Sequence, residues 1–171
     1  KHSRRITSMM TLSSNGRSAI VQREGLRLTA YTCEAGKLTI GIGHTGPDVY
    51  RGQKITEEKA NELFTRDIAP IEQYLNSLAY PFTQAQYDAL VSFILNIGLS
   101  RFKMSTMAQY VKALAAPERV AGEFSRWIWV TKIKREKLKN GTVQETKVKV
   151  QSKGLITRRE SERRQFLMVG A

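Results

Sequence analysis

The chain has 171 residues and a mass of 19.4 kDa, the size of one compact domain or two tightly joined lobes. Its 41% hydrophobic and 25% charged content excludes a wholly disordered chain, and 12 Gly with 4 Pro exclude collagen-like and low-complexity classes. Against 15 acidic residues stand 28 Lys and Arg, a net charge of +13 that implies an anionic partner: nucleic acid, an acidic membrane surface or an anionic cell-wall polymer.

Residues 1–13 (KHSRRITSMMTLS) show no sustained period and read as a basic, flexible arm, leaving 14–171 as one domain. The chain starts at Lys1 rather than Met, so processing or trimming is expected, and no signal peptide is visible. Ser14 or Asn15 is a good cap for a helix running to about Glu24, with Ile20 and Val21 inward and Gly25 as its stop. Over 26–46, Tyr31, Leu38, Ile40 and Ile42 alternate with glycines, which suits short strands and tight turns. Thr56 caps the next helix, whose Glu57 and Glu58 suit the positive end of its dipole and whose Ala60, Leu63, Phe64 and Ile68 form one face. Thr83 and Gln86 form a capping box, with Phe82 and Tyr87 as a hydrophobic staple. The helix that follows is apolar nearly all round and reads as the buried centre. Helices are expected over 105–115, over 117–126 with Pro117 in the first turn, and over about 155–168, where Arg158–Glu162 and Glu160–Arg164 have i,i+4 spacing.

Residues 128–153 form an insertion centred on Asn140-Gly141, a strong hairpin signal. A two-residue turn there sets Ile133 opposite Val148 and Thr131 opposite Val150. It also sets Lys132 opposite Lys149 and Lys134 opposite Lys147, stacking four lysines on one face as an anion-binding attachment or a solvated face. Residues 132–171 hold 12 basic and 4 acidic residues, so much of the charge excess lies here. The fold class is α+β: mostly helical, with a small N-terminal sheet lobe and a basic C-terminal hairpin. No stretch approaches ~18 consecutive apolar residues, so no membrane span is expected. One cysteine excludes an intramolecular disulfide, and two histidines without clustered ligands imply no metal or cofactor.

Within 24–46 (EGLRLTAYTCEAGKLTIGIGHTG), Glu24 and the pair Cys33/Glu34 could move protons. Glu24 lies where a helix meets a small glycine-rich sheet, a junction that commonly forms a cleft. A carboxyl walled there by apolar groups suits a general acid, and a second group holding water across the cleft completes a glycosidase arrangement. Spacing alone leaves open a solvated glutamate and a cysteine that only packs.

Glu24, eight residues, Cys33, five residues, Thr39 and then GIGHTG resemble the signature of phage-type lysozymes, the endolysins among the glycoside hydrolases. The likeness continues in TEEKA and LFTRD of 56–67, FTQAQYDALVSF of 82–93 with Asn96-Ile97-Gly98, Phe102 with Ser105-Thr106-Met107, Trp127, and GLITRRESER of 154–163. It spans roughly 18–168 outside the hairpin. The resemblance implies a lysozyme-like fold and a muramidase cutting the β-1,4 bond between N-acetylmuramic acid and N-acetylglucosamine. Peptidoglycan is then the substrate, and the setting is phage lysis of the host: synthesis in the host cytoplasm, action at the periplasm and cell wall.

The resemblance makes Glu24 the acid, Cys33 the occupant of the usual aspartate position, and Thr39 the residue that positions water. Lys37 is a candidate to favour a Cys33 thiolate. Glu34 is the alternative carboxylate, but the spacing to Thr39 fits only Cys33. His44 is paired with Asp67 in this likeness. His44, Thr45, Asn96 and Ser105 are candidate substrate contacts, while Trp127 and Trp129 either pack or stack on sugars. The competing reading is a non-catalytic basic module binding nucleic acid or cell wall. The hairpin supplies charge without a recognition helix or interleaved aromatics, so no dedicated nucleic-acid partner is expected, and the chain is expected to be a monomer.

Overall fold

The computed structural model describes residues 9–33 and 36–168. Expectations for residues 1–8 and for Glu34 lie outside the described residues. Helix α1 (Ser14–Glu24) leads into strands β1 (Arg27–Thr32), β2 (Leu38–Gly41) and β3 (His44–Thr45), an antiparallel sheet in that order. Helix α2 (Glu57–Asn76) then carries the chain to α3 (Gln84–Ile97), α4 (Leu99–Lys103), α5 (Thr106–Lys112) and α6 (Pro117–Gly122). A 3-10 turn (Phe124–Arg126), the hairpin of β4 (Trp129–Lys137) and β5 (Val143–Gln151), and α7 (Lys153–Phe166) complete the α+β fold.

Two cores follow from this order. A small one under the sheet holds Ile40, Val49 and Leu63. The larger surrounds α3, where Tyr87, Leu90, Val91, Phe93 and Ile94 are all buried. Helix α2 joins them, giving Leu63 to the first and Phe64, Ile68, Ile71 and Leu75 to the second. At 20 residues it is about 30 Å long. Pro70 is tolerated within it on the exposed side. The capping box at Thr83 and Gln86 is present, and the Phe82 and Tyr87 rings meet edge-on at 6.2 Å.

Several boundaries differ from expectation. The cap of α1 is Ser13, whose hydroxyl accepts from the Gly16 N–H, one position before Ser14. The end of the expected arm is tied down. Met10 N–H donates to Asn76 Oδ1 at 2.8 Å, Leu12 N–H to Glu72 Oε1 at 2.7 Å, and Ser13 N–H to Asp88 Oδ1 at 3.0 Å. Helix α4 was not anticipated, because five residues are too few for periodicity to register. Helix α5 stops short of 115 because Leu114 turns left-handed (φ 55°), Ala115 N–H reaching back to Tyr110 O and Leu114 N–H to Val111 O. The expected helix over 117–126 divides into α6 and the 3-10 turn. Helix α7 starts two residues early, where the Ser152 hydroxyl caps it.

The hairpin register is a correction with consequences. Leu138 N–H bonds Thr142 O and Gly141 N–H bonds Leu138 O, enclosing a three-residue loop, Lys139-Asn140-Gly141, with Gly141 at φ 84°. The extra loop residue slips the register by one, which sends each side chain to a new partner. Lys132 now faces Val148, Lys134 faces Thr146, Lys147 faces Ile133 and Lys149 faces Thr131. The four lysines are not opposed and do not share a face. Each face carries two, so the repulsion expected from stacked like charges is absent.

Candidate active site

Glu24 is the last residue of α1, and Gly25 ends the helix at φ 74°, its N–H bonding Val21 O. The Glu24 side chain is 23% exposed, reachable but mostly enclosed. Its two oxygens are not equivalent. Oε1 accepts from Arg158 Nη1 of α7 at 2.7 Å, whereas Oε2 abuts the turn between β2 and β3. A Cβ at Gly43 would sit 3.2 Å from Oε2, and the backbone there has φ 72°, so both space and conformation call for glycine. The wall around the acid is therefore cationic on one side, not the apolar wall the sequence suggested.

Cys33 and Thr39 belong to the hairpin of β1 and β2 and converge on one acceptor. Cys33 N–H donates to the Lys37 carbonyl at 2.9 Å, and the buried Thr39 hydroxyl donates to it at 3.2 Å. Gly36 N–H closes the turn on the Cys33 carbonyl at 2.8 Å. Lys37 thus enters the arrangement through its backbone oxygen.

His44 in β3 is buried and engaged at both ring nitrogens, Nδ1 with Asp67 at 2.8 Å and Nε2 with Asp48 at 3.1 Å. The expected pairing with Asp67 is present, and it ties the sheet to α2. Arg66 adds a 2.8 Å ion pair to Asp48. The Arg66 guanidinium, and after it His44, hold the exposed Asp48 carboxyl down to about 2. A depressed acid contributes stability above its unfolded value of about 3.9, and that contribution is lost as pH falls through the folded one. Arg66→Gln should return the Asp48 titration, followed by carboxyl-carbon NMR, toward the ordinary range. An unchanged midpoint would remove Arg66 as the cause.

Behind Glu24 lies a network that sequence reasoning missed. Arg158 Nε donates to Glu162 Oε1 at 3.1 Å and Nη2 to the Ser92 carbonyl at 3.2 Å. Ser92 Oγ donates to Glu162 Oε1 at 2.8 Å and accepts from Arg23 at 2.9 Å. Fully buried Glu162 also pairs with buried Arg159 at 3.2 Å. Burial pulls the Arg159 guanidinium down to about 10, with Glu162 opposing the shift. Arg159 Nη2 in turn donates to Asn96 Oδ1. The only sequence signal was the i,i+4 spacing of Arg158 and Glu162.

Asn96 is exposed and borders two grooves at the foot of the hairpin. One, of about 1330 Å³, runs from Arg23 and Arg158 to Val130 and Lys132; the other, of about 890 Å³, contains Arg101, Trp127, Trp129 and Lys149. The Asn96 side-chain oxygen is held by Arg159. Thr45 is exposed in β3. Ser105 lines the smaller groove, and its hydroxyl caps α5, donating to Phe102 O at 2.7 Å and accepting from Ala108 N–H at 3.1 Å. Trp127 packs edge-on against Phe93 at 5.7 Å, while Trp129 is exposed. Among the described residues there is no cluster of metal-ligand side chains.

The phage lysozyme family model matches residues 21–162. An endolysin of Acyrthosiphon pisum secondary endosymbiont phage 1 is 35% identical over 163 residues, covering 92% of this chain and 98% of that protein. The solved endolysin from Escherichia coli O157:H7 phage FAHEc1 aligns with TM-score 0.75 and 35% identity, over 94% of this chain and 95% of that one. The muramidase domain of SpmX from Asticaccaulis excentricus aligns with TM-score 0.74 and 32% identity, over 93% and 99% respectively. A match of this length, in sequence and in fold, means that the chain belongs to the phage lysozyme family.

Proposed function

We propose that this peptidoglycan-hydrolysing muramidase uses Glu24 as its general acid and the Cys33–Thr39 hairpin to hold and activate water. The observation that carries the reading is the unequal carboxyl of Glu24: Arg158 fixes Oε1 and leaves Oε2 at the sheet lobe. Oε2 donates its proton to the glycosidic oxygen between N-acetylmuramic acid and N-acetylglucosamine, and the bond breaks toward an oxocarbenium-like state. The Thr39 hydroxyl donates to Lys37 O, so its lone pairs accept from water and orient it without removing its proton. Cys33 takes that proton as thiolate. An ordinary thiol ionises near about 8.5, so only a minor fraction is active at neutral pH unless the site favours the charge. Asn96 donates to acetamido or peptide carbonyls, and Thr45 borders the same lobe. The enzyme acts as a monomer on the cell wall during host lysis, and the basic hairpin adds attraction to the anionic envelope.

Cys33→Ser should slow clearing of a purified peptidoglycan suspension at least tenfold, because serine cannot ionise near neutral pH, whereas Cys33→Asp should retain substantial activity. The wild-type rate should rise with pH across the thiol range, and that rise should be absent in Cys33→Asp. Full activity of Cys33→Ser would transfer the base role elsewhere. A nucleic-acid titration tests the binding-module reading, which family membership does not favour; no sequence-independent DNA binding should survive physiological salt.

A further inference from the structure

The foot of the β4–β5 hairpin belongs to the grooves beside Asn96, with Trp129 and Lys149 lining the smaller one, and its outer part is left unexplained by catalysis. Its register sorts side chains by parity: one face carries Trp129, Thr131, Ile133, Arg135 and Lys137, opposite Gln151, Lys149, Lys147, Glu145 and Val143. On that face Trp129, Ile133 and Val143 are 51%, 55% and 59% exposed. The other face differs, because Val130, Val148 and Val150 are half-buried. The hairpin is a two-stranded sheet with no third strand, an arrangement of marginal stability in water unless something packs on it. Its cations are also under-paired. Arg135 meets Glu145 at 2.7 Å and Lys134 meets Glu136 at 2.5 Å. Among the described residues, no carboxylate lies within ion-pair distance of Lys137, Lys139, Lys147 or Lys149.

We propose that this face docks on an anionic phospholipid surface, with Ile133, Val143 and the Trp129 ring at the acyl boundary and Lys137, Lys139, Lys147 and Lys149 on the phosphates. A hydrophilic polyanion, whether nucleic acid or the carboxylates of peptidoglycan stems, would match the lysines and leave the three apolar side chains in water. An anionic interface matches both. Tryptophan suits the headgroup level, and lysine stems extend along apolar surface with their ammonium groups in water. The outer edges of β4 and β5 carry unpaired backbone groups that headgroup water can satisfy and hydrocarbon cannot, so the hairpin lies in the interface and does not cross it. This inference adds a lipid partner to the muramidase reading and does not depend on Glu24 chemistry.

Co-sedimentation with vesicles of phosphatidylcholine, alone or mixed with phosphatidylglycerol, tests it with the full chain. The wild type should partition onto the mixed vesicles, with a blue shift of tryptophan emission, and not onto the neutral ones. At low salt each lysine should add roughly fivefold. Lys137→Gln/Lys139→Gln/Lys147→Gln should therefore lose binding steeply, with the wild-type advantage fading as salt rises. Ile133→Ser/Val143→Ser should weaken partitioning at least tenfold at all salt concentrations and remove the blue shift. Both variants should keep the wild-type rate on small soluble muropeptides, which also reports on folding. Glu24→Gln should bind vesicles like the wild type, so a failure of the catalytic reading leaves this result intact. Equal partitioning onto neutral and mixed vesicles would overturn the proposal. So would hairpin variants that lose binding only to lipid-free sacculi, which would assign the face to the wall polymer.

Discussion

Glu24→Gln should abolish lysis while leaving the fold intact, a loss of at least a hundredfold in peptidoglycan clearing. Glutamine fills the same volume, and its amide oxygen can still accept from Arg158, so the contact between α1 and α7 persists. What disappears is the proton that the proposed mechanism delivers from the oxygen facing Gly43. Without it the departing sugar leaves as an unprotonated alkoxide. Thermal unfolding and circular dichroism close to the wild type, together with residual activity below one percent, are the expected pair of readings (roughly the hundredfold loss of a general acid). A folded variant clearing walls at the wild-type rate would remove Glu24 from the chemistry.

Glu162→Leu should be the most destabilising single change in the network. The Glu162 side chain is fully buried and receives Arg158, Arg159 and Ser92. Removing it leaves the buried Arg159 guanidinium with Asn96 and the Phe93 ring as its contacts among the described residues. Breaking such a pair from one side costs about 3–5 kcal/mol, because the remaining charge stays desolvated. For a domain of this size that lowers Tm by on the order of 10 °C. Arg158 also loses the partner that orients it toward Glu24, so turnover should fall even below the new Tm. The double change Glu162→Leu/Arg159→Met should recover part of the stability, since no buried charge is then left unpaired, but not the turnover. A single variant as stable as the wild type would show that water reaches Arg159 in the folded protein.

Much of this was legible in the amino-acid order. The caps at Thr56 and Thr83, the glycine stop at Gly25 and the buried centre over 84–97 are local signals, and local signals survive folding. The hairpin was foreseen, but its register was not. Asn-Gly suits both two- and three-residue loops, and the choice between them turns on backbone angles at Gly141 that composition does not encode. The order Glu24, Cys33, Thr39 marked the lobe, yet the second neighbour of the acid was invisible. Arg158 stands 134 residues away from Glu24, and its i,i+4 spacing to Glu162 looks the same whether the pair is solvated or buried. Burial is a tertiary property, and it changed the meaning of that spacing.

The bond between the first described helix and the last also orders events during synthesis. Local helices close within the growing chain, whereas a contact spanning 134 residues waits for the whole intervening segment. Ribosomal delivery runs from the N-terminus at about 5–20 residues per second, so the sheet lobe with Glu24 emerges many seconds before α7 can. During that interval the acid lacks the guanidinium that sets which oxygen faces the sheet. A nascent chain therefore lacks the Arg158 contact until α7 has emerged and docked, and any turnover that depends on that contact comes after it.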